Sequence, residues 1–304
     1  MIVEAKDLKF NDKKLFMIIA GVPGIGKTTL ALSSPKPLLI DLDKGISRVD
    51  PRYRKATCVV NNYDELVNDL KTSDLTSYET IVIDTGGKLF DLIKPIVIKE
   101  DYKNGKRDGN LSLQGYGASK KKFSDFVKFV KSLNKHLIVV FHASEVQLAN
   151  DITGLRIRLE GSSKDDIWDD VDIGGFVEIV NGKRTIGFSN CERYYAKATH
   201  GIKGVIEIPT LEKNSTNDFV SKLFKKIIDD LNEETDEFNL YQNVINKLKA
   251  DIEKCKTLED INNAFKVIAN EKHYLTSKEE AWAMLQAKAK ELGFNYDKTT
   301  KQFK

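Results

Sequence analysis

Residues 21–29 read Gly-Val-Pro-Gly-Ile-Gly-Lys-Thr-Thr, a full match to G-x-x-x-x-G-K-[ST], and no other stretch restricts the fold of this chain as much. Each place in the pattern has a chemical reason. Glycines let the backbone curl until successive N–H groups face a phosphate, and the helix that follows adds its positive end. Lys27 brings a point charge to the β- and γ-phosphates, and the Thr28 hydroxyl completes a Mg²⁺ shell. An apolar run enters at 15–21 and Thr-Thr-Leu-Ala-Leu-Ser-Ser leaves as a helix, which is the strand–loop–helix context such a loop requires. The implied ligand is ATP with Mg²⁺. Its cradle is Gly21, Val22, Pro23, Gly24, Ile25, Gly26, Lys27, Thr28 and Thr29.

The rest of the first ~210 residues suits a mostly parallel sheet covered by helices. Strands are expected at 15–21, 37–43, 57–61, 80–85 and 136–143, each a nearly continuous apolar run of the kind buried on both faces. Helices are expected at 27–33, 63–71, 87–99 and 117–134. Residues 146–170 are polar and weakly periodic and read as a long loop. Asn181–Gly182 then marks a hairpin, and further strands are expected at 194–200 and 205–211.

Beyond residue 213 the pattern turns helical. One apolar stripe runs from Phe219 to Leu231 and another from Leu240 to Ile252. Thr257 with Asp260 and Ser277 with Glu280 read as capping boxes, and Gly293 as a helix stop. The expected division is an ATPase core at 1–213 and a helical module at 214–304.

Two carboxylates stand where the loop needs them. Asp84 ends the strand Thr-Ile-Val-Ile-Asp and is expected to hold Mg²⁺ with Thr28, the alternative being an acid that only begins a turn. Asp41 and Asp43 leave the second strand, and Asp43 lies nearer the nucleotide end. The order of these features resembles RecA-like P-loop ATPases of bacteriophage type, a group that includes single-strand annealing and recombination ATPases. The likeness spans roughly 15–210. It runs from the loop and the acid-tipped Leu39–Asp43 through Thr80–Thr85 and Gly115-Tyr116-Gly117 to His136–Glu145 and the 171–189 hairpin. It implies that Asp43 is the catalytic acid, where the family usually has Glu. It implies that His142, or its rival Ser144, senses the γ-phosphate and signals to a DNA-contacting loop. It also directs attention to Lys197 or Lys203 as a residue acting on a neighbouring subunit.

Composition narrows the partners. Forty-eight Lys and Arg against 45 Asp and Glu leave a charge of +3, so any contact with single-stranded DNA must be local. Three patches qualify: Arg156, Arg158 and Lys164; Lys103–Arg107 with Lys120–Lys122; and a tail in which Phe294, Tyr296 and Phe303 alternate with lysines. Three unpaired-looking cysteines and four scattered histidines, His200 among them, argue for a reducing, cytoplasmic setting, and no run approaches the ~20 residues of a membrane span. The expectation is a homo-oligomeric ATPase acting on single-stranded DNA, with a recombination or replication partner on its C-terminal helices. A P-loop kinase of small molecules or nucleotides and a nucleotide-gated loader with little turnover are the other readings.

Overall fold

The computed structural model describes residues 2–4, 7–148, 152–160, 163–199 and 201–304. Parts of the expected loop (149–151 and 161–162) and His200 lie outside them. By packing, the chain divides into Lys13–Ile227 and a second unit of Met1–Asp12 with Ile228–Lys304.

The first unit is an α/β core built on one mostly parallel sheet. Its strands are β1 (Phe16–Gly21), β2 (Pro37–Asp41), β3 (Thr57–Cys58), β4 (Thr80–Asp84), β5 (His136–Gln147), β6 (Thr153–Ile157), β7 (Ile173–Val180), β8 (Lys183–Gly187) and β9 (Val205–Glu207). They form one sheet in the order β3-β2-β4-β5-β1-β7-β8-β9, with β6 paired to β5 alone. From β3 to β7 every pairing is parallel; β7-β8, β8-β9 and β5-β6 are antiparallel. β1, β2 and β4 are buried at every residue, as their unbroken apolar runs require when helices cover both faces. Those covering helices include α2 (Tyr63–Thr72), α3 (Gly86–Glu100) and α4 (Leu113–Ser132), whose Leu66, Leu89, Phe90, Ile93, Phe123 and Phe126 join Ile18, Ile40, Ile83 and Val139 in one core cluster.

Local chemistry explains most boundaries. The helix after the P-loop, α1, spans only Lys27–Ala31. Ser33 and Ser34 turn their hydroxyls back onto the carbonyls of Leu30 and Ala31, at 2.5 and 2.8 Å, and end it. Ser112 caps α4 by accepting from the Gly115 N–H at 3.1 Å, so Gly115 and Gly117 lie inside the first turns rather than before the helix. A β-carbon on Gly115 would collide with the Asn104 carbonyl. Asn181 and Gly182, with φ of 51° and 77°, make the tight turn between β7 and β8.

Three expectations are corrected. Residues 146–170 are not a long loop. β5 runs on to Gln147 and pairs with β6, Ser144 opposite Arg156 and Ala143 opposite Ile157, and α5 (Ser163–Asp166) follows. The alternation Leu155-Arg156-Ile157-Arg158-Leu159 buries its apolar members, a period-two signal hidden by the polar residues on either side. The segment around Lys197 is a single bridge to Gly174 rather than a strand. The two apolar stripes after residue 218 belong to one helix, α6 (Phe219–Glu253), whose first turns lie in the core unit.

In the second unit, α7 (Leu258–Asn270) opens with the expected reciprocal capping of Thr257 and Asp260. α8 (Ser277–Glu291) does not use Ser277 and Glu280 that way. The Ser277 hydroxyl accepts from the Tyr274 N–H and meets His273, while Thr276 donates to Glu280 at 2.6 Å. The tail folds into the small hairpin of β10 (Tyr296–Asp297) and β11 (Gln302–Phe303). Phe303, 4% exposed, packs among Phe265, Trp282 and Tyr296. Phe303 is thus a core residue of this unit, while Phe294 and Tyr296 are half-buried against the same cluster. No described helix is long and apolar enough to cross a membrane.

The start of α6 is tied to the P-loop helix. The Ser33 hydroxyl accepts from the Val220 N–H at 2.9 Å, the Ser33 carbonyl accepts from Ser221, and Asn217 donates to the Thr29 carbonyl at 2.8 Å. Ser33→Ala leaves a buried N–H at the helix start without an acceptor, and denaturant unfolding should show a loss of about 1–3 kcal/mol. Ser221→Ala removes an exchangeable donor instead and should cost less.

Candidate functional site

The parallel register delivers the ends of four strands to one edge. Gly21 lies opposite His142 on one side and Val177 on the other; Asp84 lies opposite Val140 and Asp41. Carboxyl ends of parallel strands are where open α/β sheets bind ligands. In the loop between, Gly24 and Gly26 take φ of 81° and 88°, a left-handed backbone that side-chain-bearing residues rarely adopt. That geometry turns the loop's N–H groups inward to face an anion.

Lys27 is 5% exposed, with Nζ 2.9 Å from the Val22 carbonyl and 3.4 Å from His142 Nδ1. Burial lowers its pKa, opposed by the charges of Asp84 and Asp43. The Thr28 hydroxyl donates to Asp84 Oδ2 at 2.5 Å. Asp84 is itself 4% exposed, and burial pushes its carboxyl up to about 6 against the pull of the Thr28 bond. A hydroxyl and a carboxylate side by side are hard oxygen donors. They suit Mg²⁺, which takes one or two protein oxygens and fills its shell with water and phosphate. No cluster of three or more His, Cys, Asp or Glu that could hold a metal occurs among the described residues.

The two acids after β2 part company. Asp41 is buried and accepts from the backbone N–H groups of Gly45 and Ile46, at 2.8 and 3.0 Å, so it braces the loop that follows. Asp43 faces the site, 3.6 Å from His142 Nε2 and 2.9 Å from Arg48 Nη2, and its N–H is bonded to the Asp84 carbonyl. His142 therefore stands between Lys27 and Asp43. Because an ammonium only donates, Nδ1 must be the acceptor and Nε2 carries the proton toward Asp43. Burial first, then the charge of Lys27, lowers the His142 pKa, which keeps the ring neutral at pH 7. Ser144 lies two residues further along β5, opposite Arg156, and is not brought to Lys27.

Lys197 donates to the carbonyls of Trp168 and Asp169 at 3.0 and 2.8 Å, while Lys203 is exposed beside Phe188 and Ile202. Of the cationic patches, Lys120 and Lys122 pair with Asp166 and Glu100. Arg156 donates to the carbonyls of Leu155 and Arg193. Arg158 reaches the edge of the site, lining a cavity of about 430 Å³ with His142, Thr85 and Gly87. Arg184 on β8 lies so close to the P-loop that a β-carbon on Gly26 would collide with its Nη1. From sequence, Arg156 and Arg158 are the arginines that could close over the phosphates under the kinase reading, whereas Arg184, between Lys183 and Thr185, carries no local signal.

The family model that matches the chain is an AAA domain, AAA_24, over residues 13–200. The chain belongs to this family. No curated protein matches it in sequence. Among solved structures, it is similar to an ATPase from the type III secretion system of pathogenic bacteria at 12% identity and a TM-score of 0.31, over 54% of this chain and 52% of that one. It is also similar to the KaiC-like protein PH0186 from the hyperthermophilic archaeon Pyrococcus horikoshii OT3 at 12% identity and a TM-score of 0.32, over 64% and 89%. The chain thus spans about half the length of the secretion ATPase.

Asp84 supplies a direct test. A carboxyl whose pKa rises from 3.8 to about 6 on folding makes the native state bind more protons between those values, so its contribution falls as pH rises through the window. Asp84→Asn, which keeps the shape and an acceptor for Thr28, should stabilise the nucleotide-free protein at pH 8 by about 1–2 kcal/mol. The gain should shrink toward pH 5, as read from denaturant midpoints at the two pH values.

Proposed function

We propose that this AAA-family chain is a Mg²⁺-dependent ATPase that works on single-stranded DNA in recombination or strand annealing, as the bacteriophage-type RecA-like group does. The observation that supports hydrolysis best is the convergence of Lys27, His142 and Asp43 on one side of the P-loop and Thr28 with Asp84 on the other. Lys27 exchanges the Val22 carbonyl for β- and γ-phosphate oxygens. Thr28 and Asp84 would hold the Mg²⁺ ion, which would supply neutralisation of the phosphate charge. Asp43 orients and deprotonates the attacking water. Its pair with Arg48 is weakly held, because the Arg48 side chain is 67% exposed and can swing away.

His142 senses the γ-phosphate and hands the signal on. Its carbonyl accepts from the Arg158 N–H at 2.7 Å, so a shift at the strand tip passes straight into the β5–β6 hairpin. That hairpin carries Arg156 and Arg158 and takes the place of the expected loop as the DNA-facing element. The nucleotide signal is accordingly a displacement of a paired strand rather than the ordering of a coil. The working form is a cytoplasmic homo-oligomer, and the helices after residue 227 receive a recombination or replication partner.

Lys27→Ala should reduce ATP turnover at least about 100-fold, because the P-loop lysine acts directly on the reacting phosphates. Turnover of the native chain should rise with single-stranded DNA more than with duplex or RNA, and the stimulation should weaken as salt increases. Equal rates with and without every nucleic acid would overturn the DNA assignment and leave the ATPase; phosphate appearing on a metabolite would replace hydrolysis by a kinase.

A further inference from the structure

The chain has eight arginines, and most have an acceptor within it. Arg48, Arg52 and Arg193 face Asp43, Asp50 and Glu178; Arg54 and Arg156 donate to backbone carbonyls. The guanidinium groups of Arg107, Arg158 and Arg184 have neither kind of partner among the described residues. Arg107 is an exposed residue between α3 and α4, whereas Arg184 stands against Gly26 of the P-loop and Arg158 lines the cavity beside His142.

Arg184 projects from β8, opposite Ile179, and rests against Gly26. It is half-buried, and burial alone accounts for its lowered pKa, with no carboxylate facing it. A guanidinium drawn partly out of water without a counterion is unfavourable unless an anion arrives. Arg158 lies at the other end, on the wall of the cavity shared by His142 and Thr85, where its charge is felt by both Lys27 and His142. Asp91 and Glu160 line the same cavity, but Lys94 already bridges them, at 2.9 and 2.5 Å.

We propose that Arg184 and Arg158 clamp the polyphosphate of the nucleotide in cis. Arg184 contacts the β-phosphate where it seats on Gly26, and Arg158 contacts the γ-phosphate beside His142. P-loop ATPases take a transition-state arginine either from the same chain or from a partner. In this chain Arg184 stands on β8 and Arg158 follows directly on β6, its N–H bonded to the His142 carbonyl, while Lys197 is engaged with the Trp168 and Asp169 carbonyls. The inference rests on the ATPase reading of the site.

The experiment compares Mg²⁺–ATP and Mg²⁺–ADP binding by calorimetry, and turnover, for the native chain, Arg184→Ala, Arg184→Lys and Arg158→Ala. Arg184→Ala should weaken ATP and ADP alike by about 10–100-fold, with Arg184→Lys in between because it keeps the charge and loses the fork. Arg158→Ala should weaken ATP, leave ADP unchanged and lower kcat by about 10³-fold. Mixing Arg158→Ala with Lys27→Ala chains should restore no activity, since a cis residue cannot rescue a neighbour. Unchanged affinities, or activity restored by mixing, would overturn the clamp while leaving the ATPase intact. A native chain that binds neither nucleotide would instead sink the ATPase reading, and the clamp with it. Equal thermal unfolding of the four proteins separates these outcomes from misfolding.

Discussion

A single hydrogen bond, from the Thr28 hydroxyl to the Asp84 carboxylate, joins α1, which follows β1, to the end of β4, although β1 and β4 are not neighbours in the sheet. β5 lies between β1 and β4, so the bond forms only because both strands end at the same edge and the P-loop curls back over that edge. The insertion of β5 also puts His142 directly opposite Gly21. One strand order thus brings Thr28 and Asp84, His142 and the P-loop together at once. A sheet with β4 beside β1 would leave no strand tip between the P-loop and the carboxylate.

Charge is arranged around this bond under partial burial. Asp84 is held close to its protonation point near neutrality, Lys27 is depressed, and His142 is kept neutral. These groups are costly to bury and compensate one another only in part, which is how sites poised for a charged ligand differ from structural ion pairs. The surface pairs elsewhere, such as Lys9–Asp236 or Lys183–Glu207, are exposed on both sides and contribute little. Stability at the site is therefore lower than a fully matched charge set would give, and ligand phosphates supply what is missing.

The P-loop helix is also short. Ser33 and Ser34 end it after five residues, and Ser33 receives the first turn of α6. Within the core unit the short helix after the P-loop is thereby bonded to the start of α6. In the helical unit the aromatic residues that could have stacked on bases are used to build a core around Phe265 and Trp282.

Much of this could be read from the residues alone. The P-loop, Asp84 and the long apolar strands are local patterns whose chemistry demands a particular neighbour in sequence, so spacing is enough to place them. The capping of α7 and the Asn181–Gly182 turn are local for the same reason. The β5–β6 hairpin escaped because five alternating residues sat within a polar stretch, and a strand's partner is not written beside it. Position along the strand and the family resemblance favour Asp43 over Asp41 and His142 over Ser144, but what each of them meets is not a one-dimensional pattern. Adjacent acids differ only in which neighbour they meet, and backbone N–H groups of Gly45 and Ile46 claim one while His142 and Arg48 claim the other. The sequence by itself determined that this chain carries a phosphate loop on a parallel sheet. Tertiary structure alone decided which cations face that loop, because Arg158 and Arg184 reach it through strand pairings 130 or more residues away in the chain, where only packing and register set the distance.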